Sequence, residues 1–120
     1  MATKPVYTYK IVEVVKIIDG DTIDIIIDLG FHVSIKKRVR LYGINAPETR
    51  TRDLQEKELG LKAKARLQQL CETKDTNLIL KCHGLGKYGR VLGEIYNPEI
   101  FERTSVNNIL LAEGHAMEYL

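Results

Sequence analysis

Hydrophobic and polar positions alternate along the first third of the chain, at the period of a strand. From Val6 to Ile18 the β-branched and aromatic residues dominate, with Tyr7, Tyr9, Ile11, Val14, Val15, Ile17 and Ile18, which predicts a first strand. Strict alternation breaks at Ile11-Val12 and Val14-Val15, the mark of bulges or bends that let a sheet curl. Asp19-Gly20 between two such runs is a turn signal. Thr22 to Leu29 then reads as a second strand, with Ile23, Ile25 and Ile27 on one face and Asp24, Ile26 and Asp28 on the other. Leu29-Gly30-Phe31 turns the chain into a third strand from His32 to Ile44, with a second irregularity expected at Lys36 to Arg38. Residues 1–5 read as a loose lead-in.

Beyond this the period changes. Thr49 to Glu58 is charged and turn-rich, and is expected to lie outside the sheet as a loop. Ala63, Leu67, Leu70 and Cys71 recur at i, i+4, i+7 and i+8, one apolar stripe that predicts a helix from Gly60 to Glu72. Asn77 to His83 predicts a fourth strand, Gly84 to Gly89 a loop and Arg90 to Tyr96 a fifth strand. Ser105 is placed as the N-cap of a second helix that stops at Gly114. Three strands, a helix, two strands and a helix is the order of a mixed α+β, mainly β fold: a five-stranded OB-like barrel with two, or at most three, packed helices.

Composition narrows this only a little. At 120 residues the chain has the length of one domain that buries a core without disulfides, and 1–120 is read as one domain. Hydrophobic residues make up 44% and charged residues 28%, as in ordinary soluble proteins. A net charge of +2 does not by itself point to a nucleic acid or a membrane, so charge has to be read locally. Cys71 and Cys82 lack metal-ligand or CxxC spacing and read as reduced packing residues. Residues 1–10 hold no apolar leader segment, and no run approaches a membrane span, so a cytoplasmic protein without a membrane partner is expected.

Candidate chemistry lies in three polar clusters: Asp19-Gly20-Asp21-Thr22, then Arg40 to Thr49 (RLYGINAPET), then Lys87-Tyr88-Gly89-Arg90. Taken alone, each reads better as a solvated turn or a charged loop tip. Taken together, carboxylates at a barrel rim offer hard oxygen ligands to Ca²⁺ or Mg²⁺, and arginines offer a planar fork for phosphate.

In that order the three clusters resemble the staphylococcal nuclease (thermonuclease) family, over about Val14 to Ala116. The resemblance implies an OB-like barrel and Ca²⁺-dependent hydrolysis of DNA and RNA phosphodiesters. It assigns Asp21 as a metal carboxylate, with Asp19 beside that site, and Glu48 as the general base. Arg40 and Arg90 become the phosphate arginines, and Lys87 and Tyr88 become nucleotide contacts. Two positions depart from the family pattern. Asn45 stands where active members carry a second aspartate ligand, and Ala46 stands where the family contributes a backbone carbonyl. Removing one unit charge about 4 Å from an ion, at an effective dielectric near 20, forfeits roughly 4 kcal/mol per ionic charge before desolvation is subtracted, so weakened metal binding is expected. The expected partners are DNA or RNA, single-stranded in preference, acted on by a monomer. The alternative is a catalytically impaired OB-fold domain that binds nucleic acid or protein.

Overall fold

A computed structural model describes residues 7–74 and 78–119, so the expected lead-in, Val6 and Asn77 lie outside the described residues. Seven strands and two α-helices follow in order: β1 (Tyr7–Asp19), β2 (Thr22–Gly30), β3 (Val33–Leu41), β4 (Ile44–Asn45), α1 (Leu54–Leu70), β5 (Ile79–Leu85), β6 (Val91–Tyr96), α2 (Val106–Ala112) and β7 (Met117–Glu118). Five of the strands close into a barrel in the order β1-β2-β3-β6-β5. The β3–β6 pair is parallel, and the other barrel pairs are antiparallel. This is the mainly β OB architecture that the pattern predicts. Register shifts at Ile11/Glu13 and Val14/Lys16 put the bends of β1 where its alternation fails. Ile23, Ile25, Ile27, Val39 and Leu41 fill the interior with Leu80, Ile95 and the α1 stripe of Ala63, Leu67 and Leu70.

Three boundaries differ from the sequence reading. The third strand stops at Leu41 rather than Ile44, because Gly43 takes φ +81 and turns the chain. Ile44–Asn45 then pairs away from the barrel with Met117–Glu118. Pairing of β2 with β3 runs unbroken from Thr22↔Arg40 to Asp28↔Ser34, so the irregularity expected at Lys36 to Arg38 falls instead at the hairpin tip, between Asp28 and Gly30. The helix starts at Leu54, not Gly60. Asp53 caps it by accepting from the amides of Gln55 and Glu56, at 3.0 and 3.3 Å, and the leucines of its first turns, Leu54 and Leu59, are exposed rather than part of the buried stripe. Ser105 caps α2 as expected, and Gly114 at φ +79 follows its end.

Two glycines set how closely α1 approaches the turns at the barrel rim. A Cβ on Gly60 would lie 2.6 Å from the Glu48 carbonyl oxygen and 2.9 Å from that of Pro47. One on Gly20 would lie 2.6 Å from Ala63 Cβ and 3.0 Å from Ala46 Cβ. A buried amide closes the other side: Asn107 donates to the carbonyls of Tyr42 and Gly93, at 2.9 and 3.1 Å, and accepts from the Ile95 amide.

Candidate functional site

The β1–β2 turn and the segment after β3 meet at one rim of the barrel. Asp21 is buried there, and each of its carboxylate oxygens has a partner. Oδ1 accepts from the Thr22 hydroxyl at 2.9 Å, and Oδ2 from the Ala46 amide at 2.8 Å, with Arg40 Nη1 at 3.5 Å. Arg40 Nη1 also donates to the carbonyls of Leu41 and Ile44, at 3.1 and 2.8 Å, and Nη2 donates to Asn45 Oδ1 at 3.0 Å. The guanidinium is therefore fixed by three hydrogen-bond acceptors and an ion pair, and it lies between Asp21 and Asn45. The Tyr119 ring lies 5.6 Å beneath it, within cation–π range.

The loop that follows is tied down on both sides of Glu48. Ala46 is held by Asp21, and Thr49 donates to Asp19 Oδ1 through its amide at 3.2 Å and its hydroxyl at 2.6 Å. Beneath Glu48, Gly60 of α1 packs on its carbonyl, and the Glu48 amide donates to Glu56 at 3.4 Å. The Glu48 carboxylate is left exposed on this clamped backbone.

Two hollows flank the row formed by Thr22 and Arg40, which are register partners. On one side a groove of about 590 Å³ is lined by Asp19, Thr22, Arg38, Tyr88, Gly89 and Arg90, among others. Tyr88, at φ +61, is 96% exposed on a single 3₁₀ turn (Lys87–Gly89), and Arg90 Nε donates to the Lys87 carbonyl at 3.4 Å. On the other side a pocket of about 430 Å³ lies between Arg40, Tyr42, Leu92 and Tyr119. The His83 ring stacks on Tyr42 at 4.2 Å between centroids and is held by Glu94 at 2.6 Å, which stiffens that wall.

Most of the expected residues thus fall into two groups, and the exposed Glu48 carboxylate makes no hydrogen bond or ion pair to either of them among the described residues. Asp21, Arg40, Asn45 and Ala46 are in mutual contact, while Asp19, Tyr88 and Arg90 share the groove. Lys87 is exposed at the edge of this second group. Thr49 and Arg38 join the site without a role read for them in the sequence, and the ring of Tyr119, which the sequence sets near but not in line with the family's nucleotide tyrosine, lies under Arg40. Thr49 ends the RLYGINAPET string and Arg38 stands two positions before it, so proximity is a signal for both. Tyr119 carries no local signal that it returns to Arg40.

As a seat for a hard dication, the donor set fits in kind and is poor in charge. Asp21, the Asn45 amide and the neighbouring carbonyls are all oxygen donors, as Ca²⁺ requires. Among the described residues, however, no group of three or more His, Cys, Asp or Glu side chains comes together. Arg40 supplies the positive charge that now lies between Asp21 and Asn45.

The frame is a closed five-stranded OB-type barrel whose rim carries the buried Asp21 carboxylate beside Arg40. The family model described as "Staphylococcal nuclease homologue" matches residues 38–120, and the chain belongs to that family. The Asp19–Thr22 turn precedes the matched range. Among curated proteins, "Micrococcal nuclease" of Shigella flexneri is 35% identical over 112 residues, 89% of this chain and 57% of that protein. "Protein ParB" of Escherichia coli is 35% identical over 113 residues, 89% of this chain and 56% of that protein. The chain spans little more than half the length of these relatives. No helix among the described residues is long and apolar enough to cross a membrane.

Proposed function

We propose that this domain binds single-stranded DNA or RNA and hydrolyses its phosphodiester bonds with the help of a divalent cation, Ca²⁺ first among them. The observation that carries this reading is the Arg40 guanidinium, locked by backbone carbonyls and Asn45 before any ligand arrives. A pre-oriented fork can take two phosphoryl oxygens at little further entropic cost, and it cannot deprotonate. Arg90, in the adjoining groove, is the second cation for the same phosphate, and Tyr88 and Lys87 lie along the strand's path. The pocket beside Arg40, walled by Tyr42, Leu92 and Tyr119, suits the flat face of a base.

Glu48 acts as the general base. Its carboxylate takes a proton from a water, the water oxygen bonds to phosphorus, and the opposite ester bond breaks, its oxygen being protonated from solvent. Negative charge on the phosphoryl oxygens grows during this step, and Arg40 and Arg90 stabilise it more than they stabilise the ground state. Asp21, Asn45 and the Ala46 carbonyl would hold the cation, which when bound adds Lewis-acid stabilisation of the same oxygens.

Digestion of single-stranded and plasmid DNA by native protein and by Glu48→Gln, in Ca²⁺ and in chelator, tests this. Native protein is expected to cleave single strands in Ca²⁺ and not in chelator. Glu48→Gln is expected to lose about two to four orders of magnitude in rate while still binding oligonucleotide. Binding without cleavage by folded native protein would favour the second reading, a non-catalytic nucleic-acid-binding domain, which the neutral Asn45 and its bond to Arg40 support.

A further inference from the structure

Beyond Arg40, the outer face of β3 carries two further cations, Lys36 and Arg38, that the proposed hydrolysis does not use. Val39 and Leu41 point into the core, so Lys36, Arg38 and Arg40 point outward on the same side of one strand. Arg38 is the register partner of Asp24 and binds it through two bonds, Nε to Oδ1 at 2.8 Å and Nη2 to Oδ2 at 3.1 Å. That pair explains only part of the arginine. Arg38 Nη1 has no partner among the described residues, half of the side chain is exposed, and it lines the same groove as Tyr88 and Arg90. Lys16, across Asp24 on β1, and Lys36 add to Arg38 in holding the Asp24 carboxyl below the ordinary range, so one carboxylate sits among three cations. Lys36 is exposed and makes no hydrogen bond or ion pair among the described residues. The other acids nearby are Asp19, which lines the groove and is bonded to Thr49, Glu13, in the row of Ile26 and Lys36, and Asp28, in the next row between Lys10 and Ser34, which accepts from the Gly30 amide.

Successive outward positions on an antiparallel strand lie about 6.8 Å apart. That is close to the step between successive phosphates along one nucleic-acid strand, so neighbouring outward cations can each meet one phosphate, while the exposed ring of Tyr88 can stack only on a base left uncovered, which favours a single strand over a duplex. We propose that the outer face of β3 is a binding track for single-stranded nucleic acid, with Arg38 and Lys36 taking the phosphates that follow the one held at Arg40, and Tyr88 stacking a base over the groove. The track rests on the nuclease-site reading and extends it away from the reacting phosphate.

The test is fluorescence anisotropy with labelled phosphorothioate oligothymidylates, a dinucleotide and a strand of about ten nucleotides, across a salt series in Ca²⁺. Lys36→Gln removes an unpaired surface charge. The double variant Asp24→Asn/Arg38→Gln removes the pair together, leaving net charge unchanged and no carboxylate stranded, and thermal melts confirm that both variants fold. Native protein is expected to bind the longer strand more tightly. Each variant should weaken that complex about two- to fivefold at low salt while changing dinucleotide affinity less. Each should also flatten the salt dependence by about 0.7 for every phosphate that the variant leaves unneutralised. Native affinity that does not rise with length, or variants that keep both affinity and salt slope, would overturn the track and leave the site reading standing. A duplex that gains as much from length as the single strand would overturn the single-strand assignment. Failure of native protein to bind either oligonucleotide would overturn both.

Discussion

Arg40 and Asn45 form the contact on which the metal question turns. Asn45 is exposed, and its amide oxygen accepts from Arg40 Nη2, so an incoming cation has to compete with a guanidinium for a neutral ligand. Asn45→Asp should tighten Ca²⁺ binding by about tenfold or more, since the charge restored faces a dication. In chelator the new carboxylate meets Arg40 as well as Asp21, attraction and repulsion offset, and stability should move by no more than about 0.5 kcal/mol. Calorimetric titration together with melts in Ca²⁺ and in chelator checks both expectations, and equal Ca²⁺ affinity in the two proteins would remove Asn45 from the metal site. Asp19, Asp21, Arg40, Glu48 and Arg90 are legible in the sequence because they lie in three short strings whose order carries the resemblance. The ties between those strings are not. Thr49 reaches Asp19 across 30 positions, and Tyr119 comes under Arg40 from the far end of the chain, distances over which no local pattern carries information.

At the scale of elements, α1 holds the Glu48 loop in place through Gly60. Alanine there would gain up to about 1 kcal/mol in helix propensity. Its Cβ, however, would stand 2.6 Å from a backbone carbonyl oxygen that cannot rotate away, so overpacking wins. Gly60→Ala should cost about 1–3 kcal/mol in urea melts. It should also lower kcat more than it raises KM, because α1 then pushes Glu48 away from its position while the arginines remain. A Gly60→Ala protein with native stability and native kcat would show that the helix does not set the loop. The sequence discloses the buried stripe of α1 but not its first turns, since the Asp53 cap, and not periodicity, begins the helix. Nor does it disclose the β4–β7 pair, whose two-residue strands are too short to alternate.

For the molecule as a whole, the strands can be read along the chain, but their partners cannot. Closure depends on β1 meeting β5, from Tyr7↔Cys82 to Lys10↔Ile79, and on β3 lying parallel to β6, pairings that join segments far apart in sequence. Two carboxylates then tie separate parts of the closed structure together: Asp24 to Arg38 between β2 and β3, and Glu113 to Arg66 between the end of α2 and α1, with bonds of 2.6 and 2.8 Å. Hydrogen bonds from Arg38 and Arg66 hold the two carboxyls below their ordinary values of 3.8 and 4.5. Each therefore binds a proton less readily in the folded chain than in the unfolded one. The stabilisation is complete above the unfolded values and is lost as pH falls through the lower, folded ones. Urea denaturation from about pH 7 to about pH 3 should give a plateau above about pH 5 and a decline below it. Glu113→Gln and Asp24→Asn should each lie below the native curve at neutral pH and decline less steeply in acid, so that the curves converge at the acid end. Curves that stay parallel over the whole range would mean that other carboxylates govern the acid limit of this fold.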